Sequence, residues 1–345
     1  MEYYDKVYGA LLGAATGDAM GAATEARTPE NIIAVFGHPV TTFEKPPVDA
    51  IGAGSEAGQL TDDFSCAYFI ASHIIKNKGI ITEKVVENAI VDWSEHEVFY
   101  TRFAGPSTRR AVAKFKGKPF PESTDFVNYP FWATNGSGMR ISPIGLFNPG
   151  NIDQAIEDAV TVTLPTHANH LSISGACAVA AAVSCALKPY ADLYDVLQAG
   201  LYGAEKGEIL GREVGVIVPG ASVLRRMELA IKIGSSLKTP EEKTLELADR
   251  IGSGLHIAEA VPSAFGLLAA HNGDPMAAII AGVNMGYDTD TVSTMAGGIG
   301  GALKGKTAFP TDFGEIIDRM NGIDLHGLAL GILETNRLYR KERRA

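Results

Sequence analysis

The chain has 345 residues, of which 46% are hydrophobic and 20% charged, with a formal net charge of -10. That balance excludes a disordered chain, and the acidic excess argues against a protein that tracks a nucleic-acid backbone. Glycine is abundant, at 38 residues, but follows no Gly-X-Y period, so a collagenous chain is excluded as well.

In chain order the pattern reads helix after helix. Residues 4–19 carry Val7, Leu11 and Ala14 at helical spacing. A Thr and two acids open a helix over 61–78, and Thr82 opens another over 82–97 with Val85, Val86, Ala89 and Ile90 on its core side. Helices follow over 107–116, 152–163, 170–187, 193–209, 222–233, 240–251, 257–271, 274–285, 291–303, 312–320 and 325–341. Alternating strands bounded by hairpin turns are missing, as is a β-α-β rhythm. The expectation is therefore one all-α domain over residues 1–345. Gly and Ala concentrate at 175–182 and 296–302, where small side chains let helix backbones come close.

Two long irregular stretches stand out, 37–60 and 117–137, the second with Phe126, Tyr129, Phe131 and Trp132. Loops of that length in a globular chain are functional or disordered. Cys66, Cys177 and Cys185 lie in apolar helical patterns and read as core residues, which favours a reducing, cytoplasmic setting. The first residues lack a basic-then-apolar leader, and no apolar run reaches the ~20 residues that span a bilayer. A soluble protein that binds no membrane is expected.

Two acidic clusters carry the chemistry: Thr61-Asp62-Asp63 and Asp288-Thr289-Asp290-Thr291. Each sits where an irregular stretch turns into a helix, so each alone reads equally well as a cap. The second supplies two carboxylates and two hydroxyls where one cap would do, beside a tightly packed Gly-rich helix. Buried carboxylates need cations, and carboxylates with hydroxyls and no sulfur suit Mg²⁺, Mn²⁺ or Ca²⁺ rather than zinc. Asp18 and Glu25 are further acids near the end of the first helix, open to a capping or solvated reading. Thr134-Asn135-Gly136-Ser137-Gly138-Met139-Arg140 is a small-residue turn whose amides could hold phosphate, or a plain turn. His167 and His170 lack partners at zinc spacing and read as structural.

Taken together, these segments resemble the ADP-ribosylglycohydrolase family, of the dinitrogenase reductase-activating glycohydrolase type. Gly9, Gly13, Gly17-Asp18-Ala19, Gly21 and Glu25 resemble its opening, and Thr61-Asp62-Asp63 its first metal motif. Asn135 to Arg140 resembles its substrate loop, Thr166-His167 its central helix start, and Asp288 to Thr291 its second metal motif. The matches run in order from residue 9 to 305.

The resemblance implies an all-α, compact orthogonal multi-helix bundle with two divalent cations, Mg²⁺ or Mn²⁺. It implies hydrolysis of an N- or O-glycosidic bond at a ribose anomeric carbon. By motif, Thr61, Asp62, Asp63, Asp288, Asp290 and Thr291 would hold the metals or neighbour them. Glu25, Asp62 and Asp63 are the candidates for proton transfer, with Glu25 over the site. Asn135, Gly136, Ser137, Gly138, Met139 and His167 would face the substrate, the glycines and serine through their amides.

Phe64 and Tyr287 depart from common family residues. Phe103 stands where members acting on ADP-ribosyl-arginine carry an acid, and it cannot pair with a guanidinium. The expected partner is an ADP-ribosylated substrate, or else another small riboside; a non-catalytic protein on this fold is the reading least favoured.

Overall fold

A computed structural model describes residues 3–119 and 133–339. Among them are seventeen α-helices and no strand. These are α1 (Tyr3–Gly21), α2 (Pro29–Phe36), α3 (Asp62–Lys76), α4 (Glu83–Trp93), α5 (Glu97–Phe103), α6 (Pro106–Phe115), α7 (Ser142–Phe147), α8 (Ile152–His167) and α9 (His170–Ala186). They continue with α10 (Leu193–Val214), α11 (Val223–Gly234), α12 (Pro240–Arg250), α13 (Ile257–Ala270), α14 (Pro275–Asn284), α15 (Thr289–Lys304), α16 (Phe313–Asn321) and α17 (Leu325–Tyr339). The all-α expectation holds. None of these helices is long and apolar enough to cross a membrane.

Two helices form the centre because small and apolar residues run round most of their surface. Every residue of α9 is buried, as are Thr289 to Leu303 of α15. Helices apolar all round belong inside a larger helical assembly. The contact that builds the site is α1 against α15. Gly9, Gly13, Gly17 and Gly21 recur every four residues and so share one face of α1. A Cβ at Gly13 would lie 2.1 Å from the Gly297 carbonyl oxygen, one at Gly17 2.2 Å from that of Ser293, and one at Gly21 2.2 Å from the Asp290 Cα. The two backbones therefore touch along their length, running antiparallel. Four glycines cost roughly 4 kcal/mol of helix propensity, which this packing must offset. The consequence is positional: the end of α1, leading to Glu25, lies against the start of α15, which carries Asp288 and Asp290.

Gly203, Gly207 and Gly211 of α10 do the same against Cys177, Ser174 and His170 of α9.

Three helices are additions to the expectation: α2, α5 and α7, of 8, 7 and 6 residues. The helix expected to 97 ends at Trp93, and α15 begins at Thr289 rather than 291, which puts Asp290 and Thr291 inside its first turn. Residues 37–60 are irregular, as expected, and tied down at both ends. Asn284 accepts from the Val40 N–H at 2.8 Å and donates to its carbonyl at 2.7 Å. Asn321 accepts from the Leu60 N–H and donates to the Gly58 carbonyl, both at 2.9 Å. Of the second long stretch, residues 120–132, with Phe126, Tyr129, Phe131 and Trp132, lie outside the described residues.

Candidate active site

Glu25, Asp62, Asp63, Asp288 and Asp290 line one cleft of about 250 Å³, with Thr291, Phe103, Thr134, Asn135, Met139, His167 and Leu255. Three chain segments bring the acids together, and each is fixed by local chemistry. Asp62 and Asp63 occupy the first turn of α3. That turn is capped twice: the Thr61 side chain accepts from the Asp63 N–H at 3.2 Å, and Asp18 of α1 accepts from the N–H groups of Thr61 and Phe64, both at 2.9 Å. Asp18 is fully buried. It is a long-range cap that locks α3 onto α1.

Glu25 and Asp288 are held by paired backbone bonds between their neighbours. The Ala26 N–H donates to the Tyr287 carbonyl at 2.7 Å, and the Tyr287 N–H to the Arg27 carbonyl at 2.9 Å. Both Ala26 (φ 60°) and Tyr287 (φ 69°) adopt the left-handed region. Each costs about 1–2 kcal/mol, and such strain collects at functional sites. Thr289 turns away from the cleft: it donates to the Gly21 carbonyl at 3.0 Å and accepts from Thr24 at 2.9 Å. Asn135 donates to the Asp288 carboxylate. The Thr291 hydroxyl lies in hydrogen-bonding reach of Asp63 and Asp288.

The acids raise one another's proton affinity. Burial, then Asp288, Asp62 and Asp18, push Glu25 up to about 8. Burial and then Asp18 push Asp62 up to about 7. Asp63 and Asp290 are held well above the usual carboxylate range, first by burial and then by their acidic neighbours. Asp18 rises to about 6 by burial, against the two amides that it caps. One oxygen each of Asp63 and Asp290 is buried without a hydrogen-bond partner among the described residues. Glu25, Asp288 and Asp290 present oxygens within 4.8 Å of one another. Orphaned carboxylate oxygens in a like-charged cluster fit a hard divalent cation, which would supply the missing positive charge.

The expected substrate side divides. Asn135, Met139 and His167 line the cleft, whereas Gly136, Ser137 and Gly138 do not. The Asn135 side chain is engaged by Asp288. The Ser137 hydroxyl points inward to the Ser172 carbonyl at 3.0 Å, and the Gly138 N–H bonds the Asn135 carbonyl at 2.7 Å. Gly136 serves as a spacer: a Cβ there would strike the His167 ring, 2.8 Å from Nε2. Thr61 caps α3 and is outside the lining.

Thr134 and Arg140 are site residues that sequence reasoning left without a role of their own, and Asp18, open there to a capping reading, caps α3. Asp18 and Arg140 had only their place inside motifs as a signal, since their partners lie far away in the chain. Arg140 is 1% exposed and bonded to a thiol, a hydroxyl and an imidazole. His167 is pushed well below its ordinary value by burial and by Arg140, so its ring is neutral.

A family profile described as ADP-ribosylglycohydrolase matches residues 1–343. The uncharacterized protein YegU of Escherichia coli K12 is 29% identical over 346 residues, covering 99% of each chain. The ADP-ribosylarginine hydrolase Tri1 of Pseudomonas putida is 27% identical over 90% of this chain and 74% of its own. The human ADP-ribosylhydrolase ARH3 is 26% identical over 88% of this chain and 86% of its own. Among solved structures, an ADP-ribosylglycohydrolase-related protein complex matches with a TM-score of 0.70 over 97% of this chain and 99% of its own, at 21% identity, a likeness of fold.

Proposed function

Because the chain belongs to the ADP-ribosylglycohydrolase family, and is thereby a hydrolase of glycosidic bonds, we propose that it cleaves the N- or O-glycosidic bond at the ribose anomeric carbon of an ADP-ribosyl group. The observation that carries this reading is the convergence of five carboxylates from three segments in one cleft, two of them with orphaned buried oxygens. Asp62, Asp63, Asp288, Asp290 and Thr291 would hold two divalent cations, Mg²⁺ or Mn²⁺, with Glu25 beside them. Such ions, when bound, orient ribose hydroxyls and stabilise charge that develops as the bond breaks.

The chain's own residues do the rest. Glu25 is half-buried and reaches the cleft from outside the α3 and α15 turns. Burial raises its proton affinity, so its carboxyl is suited to give a proton to a leaving group and to take one back from water. Asp62 and Asp63, also on the cleft wall, are the alternatives only where they do not ligate a cation. The remaining carboxylates favour a transition state with oxocarbenium character.

Phe103 lines the cleft and offers no acceptor to a guanidinium. It favours a second reading in which the same chemistry acts on a different riboside, and it argues against arginine as the leaving group despite the likeness to an arginine-directed enzyme. Incubation with N-linked arginine, O-linked ADP-ribosyl compounds and simple ribosides, with Mg²⁺, Mn²⁺ or chelator, separates these. Release of ADP-ribose from an O-linked compound, abolished by chelation, is the expected result. Turnover of simple ribosides alone supports the second reading, and no turnover of any compound sinks both.

A further inference from the structure

The buried bonds around His167 have a direction that can be read from chemistry alone. Arg140 carries donors only. One of its Nη atoms donates to the Thr166 hydroxyl and, at 3.2 Å, to His167 Nδ1. Thr166, its oxygen engaged by Arg140, gives its own hydrogen to the same Nδ1 at 2.8 Å. Two donors converge on Nδ1, so Nδ1 bears a lone pair and the ring proton sits on Nε2. Nε2 lies 3.0 Å from Thr134 Oγ1 and must donate to it. The Thr134 hydroxyl thus receives a hydrogen bond, and its own hydrogen meets no acceptor among the described residues. Thr134 lines the cleft.

The cleft is also divided by charge at this point. On one side of His167 lie the five carboxylates. On the other, a second hollow of about 230 Å³ shares Ser107 and His167 with the first and is flanked by Arg110 and Lys114, with no carboxylate among its described lining. A ligand spanning both hollows would pass Ser107 and His167, beside the Thr134 hydroxyl. We propose that Arg140 holds His167 in the Nε2–H tautomer so that the Thr134 hydroxyl is turned into the cleft as a donor, and that this donor reads a phosphate oxygen of the substrate. Arg140 and His167 are positioning residues; Thr134 is the contact. The phosphate assignment rests on the proposed ADP-ribosyl function, whereas the tautomer does not.

Long-range ¹⁵N–¹H correlation spectra of the full-length protein read the tautomer directly. His167 is expected as Nε2–H in the wild type and as a mixture in Arg140→Lys. Thr134→Val is expected to weaken ADP-ribose binding about tenfold or more, the worth of one hydrogen bond to a charged group. Its metal uptake should stay as in wild type and its melting temperature should fall, because the buried His167 Nε2–H loses its acceptor; Thr134→Ser should restore both binding and melting temperature, and affinity for a riboside without phosphate should not change. A proton on Nδ1, or equal ADP-ribose affinity in Thr134→Val, overturns the inference. Wild-type protein that binds no ADP-ribose at all counts against the proposed function, and the tautomer then decides this inference alone.

Discussion

Asp18 does its work without entering the cleft. Its two oxygens take the N–H groups of Thr61 and Phe64, at the head of the helix that carries Asp62 and Asp63. Replacing it with Ala leaves two buried amides without partners. We expect Asp18→Ala to cost about 2–4 kcal/mol in urea unfolding, more than an exposed cap does. A loss under about 0.5 kcal/mol contradicts that role. Four of the five cleft acids, Asp62, Asp63, Asp288 and Asp290, were legible in the sequence because they come in clusters at helix starts, which is a local signal. Asp18 was less so, since its partners lie more than forty residues away, 43 and 46 positions along the chain. In the small-residue turn the Ser137 hydroxyl and the Gly138 amide are engaged inside the fold, by partners that a local reading does not supply.

At the scale of elements, the α1–α15 contact is the device that assembles the site. Gly13→Val forces a side chain into the Gly297 backbone, which cannot give way as a flexible side chain would. A loss of about 3 kcal/mol or more, or failure to fold, is expected. Gly298→Ala, one residue along from that contact, meets only side-chain atoms, the nearest at 3.2 Å. It should change stability by about 1 kcal/mol or less, partly offset by better helix propensity. Equal effects of the two would refute the backbone-contact account. The long helices were legible from apolar periodicity and caps. Helices α2, α5 and α7 were not, because they are too short for a period to show. In α5 the first residue lacks a side-chain cap, and its last carbonyls are taken instead by Arg109, at 2.7–3.1 Å. For α2 the signals were present in Thr28, Pro29 and Gly37, a cap, a helix-start proline and a left-handed stop.

For the whole molecule the carboxylate cluster sets a pH dependence. Asp18, Asp62 and Glu25 hold protons up to about 6, 7 and 8 in the folded state. Unfolded carboxyls lose theirs near 4. Between those values the folded state binds more protons than the unfolded, so stability falls as pH rises. Chelated protein should therefore melt at progressively lower temperature from pH 5 to pH 8. Saturating Mg²⁺ or Mn²⁺ should flatten that slope, and metal uptake should release protons. Calorimetric melting across this range checks both, and a chelated protein that gains stability towards pH 8 would overturn the account. The irregular stretch over 37–60 belongs to this scale as well. Its two asparagine clamps come from α14 and α16, partners that no local reading could supply.

The central claim is that this cleft binds an ADP-ribosyl group through divalent cations. Calorimetric titration of ADP-ribose with Mg²⁺, with Mn²⁺ and after chelation, with Asp290→Asn alongside, tests it most directly. Micromolar binding that requires the metal and is lost in Asp290→Asn is the predicted result. Binding that is indifferent to chelation, or metal uptake without any ADP-ribose binding, would contradict it.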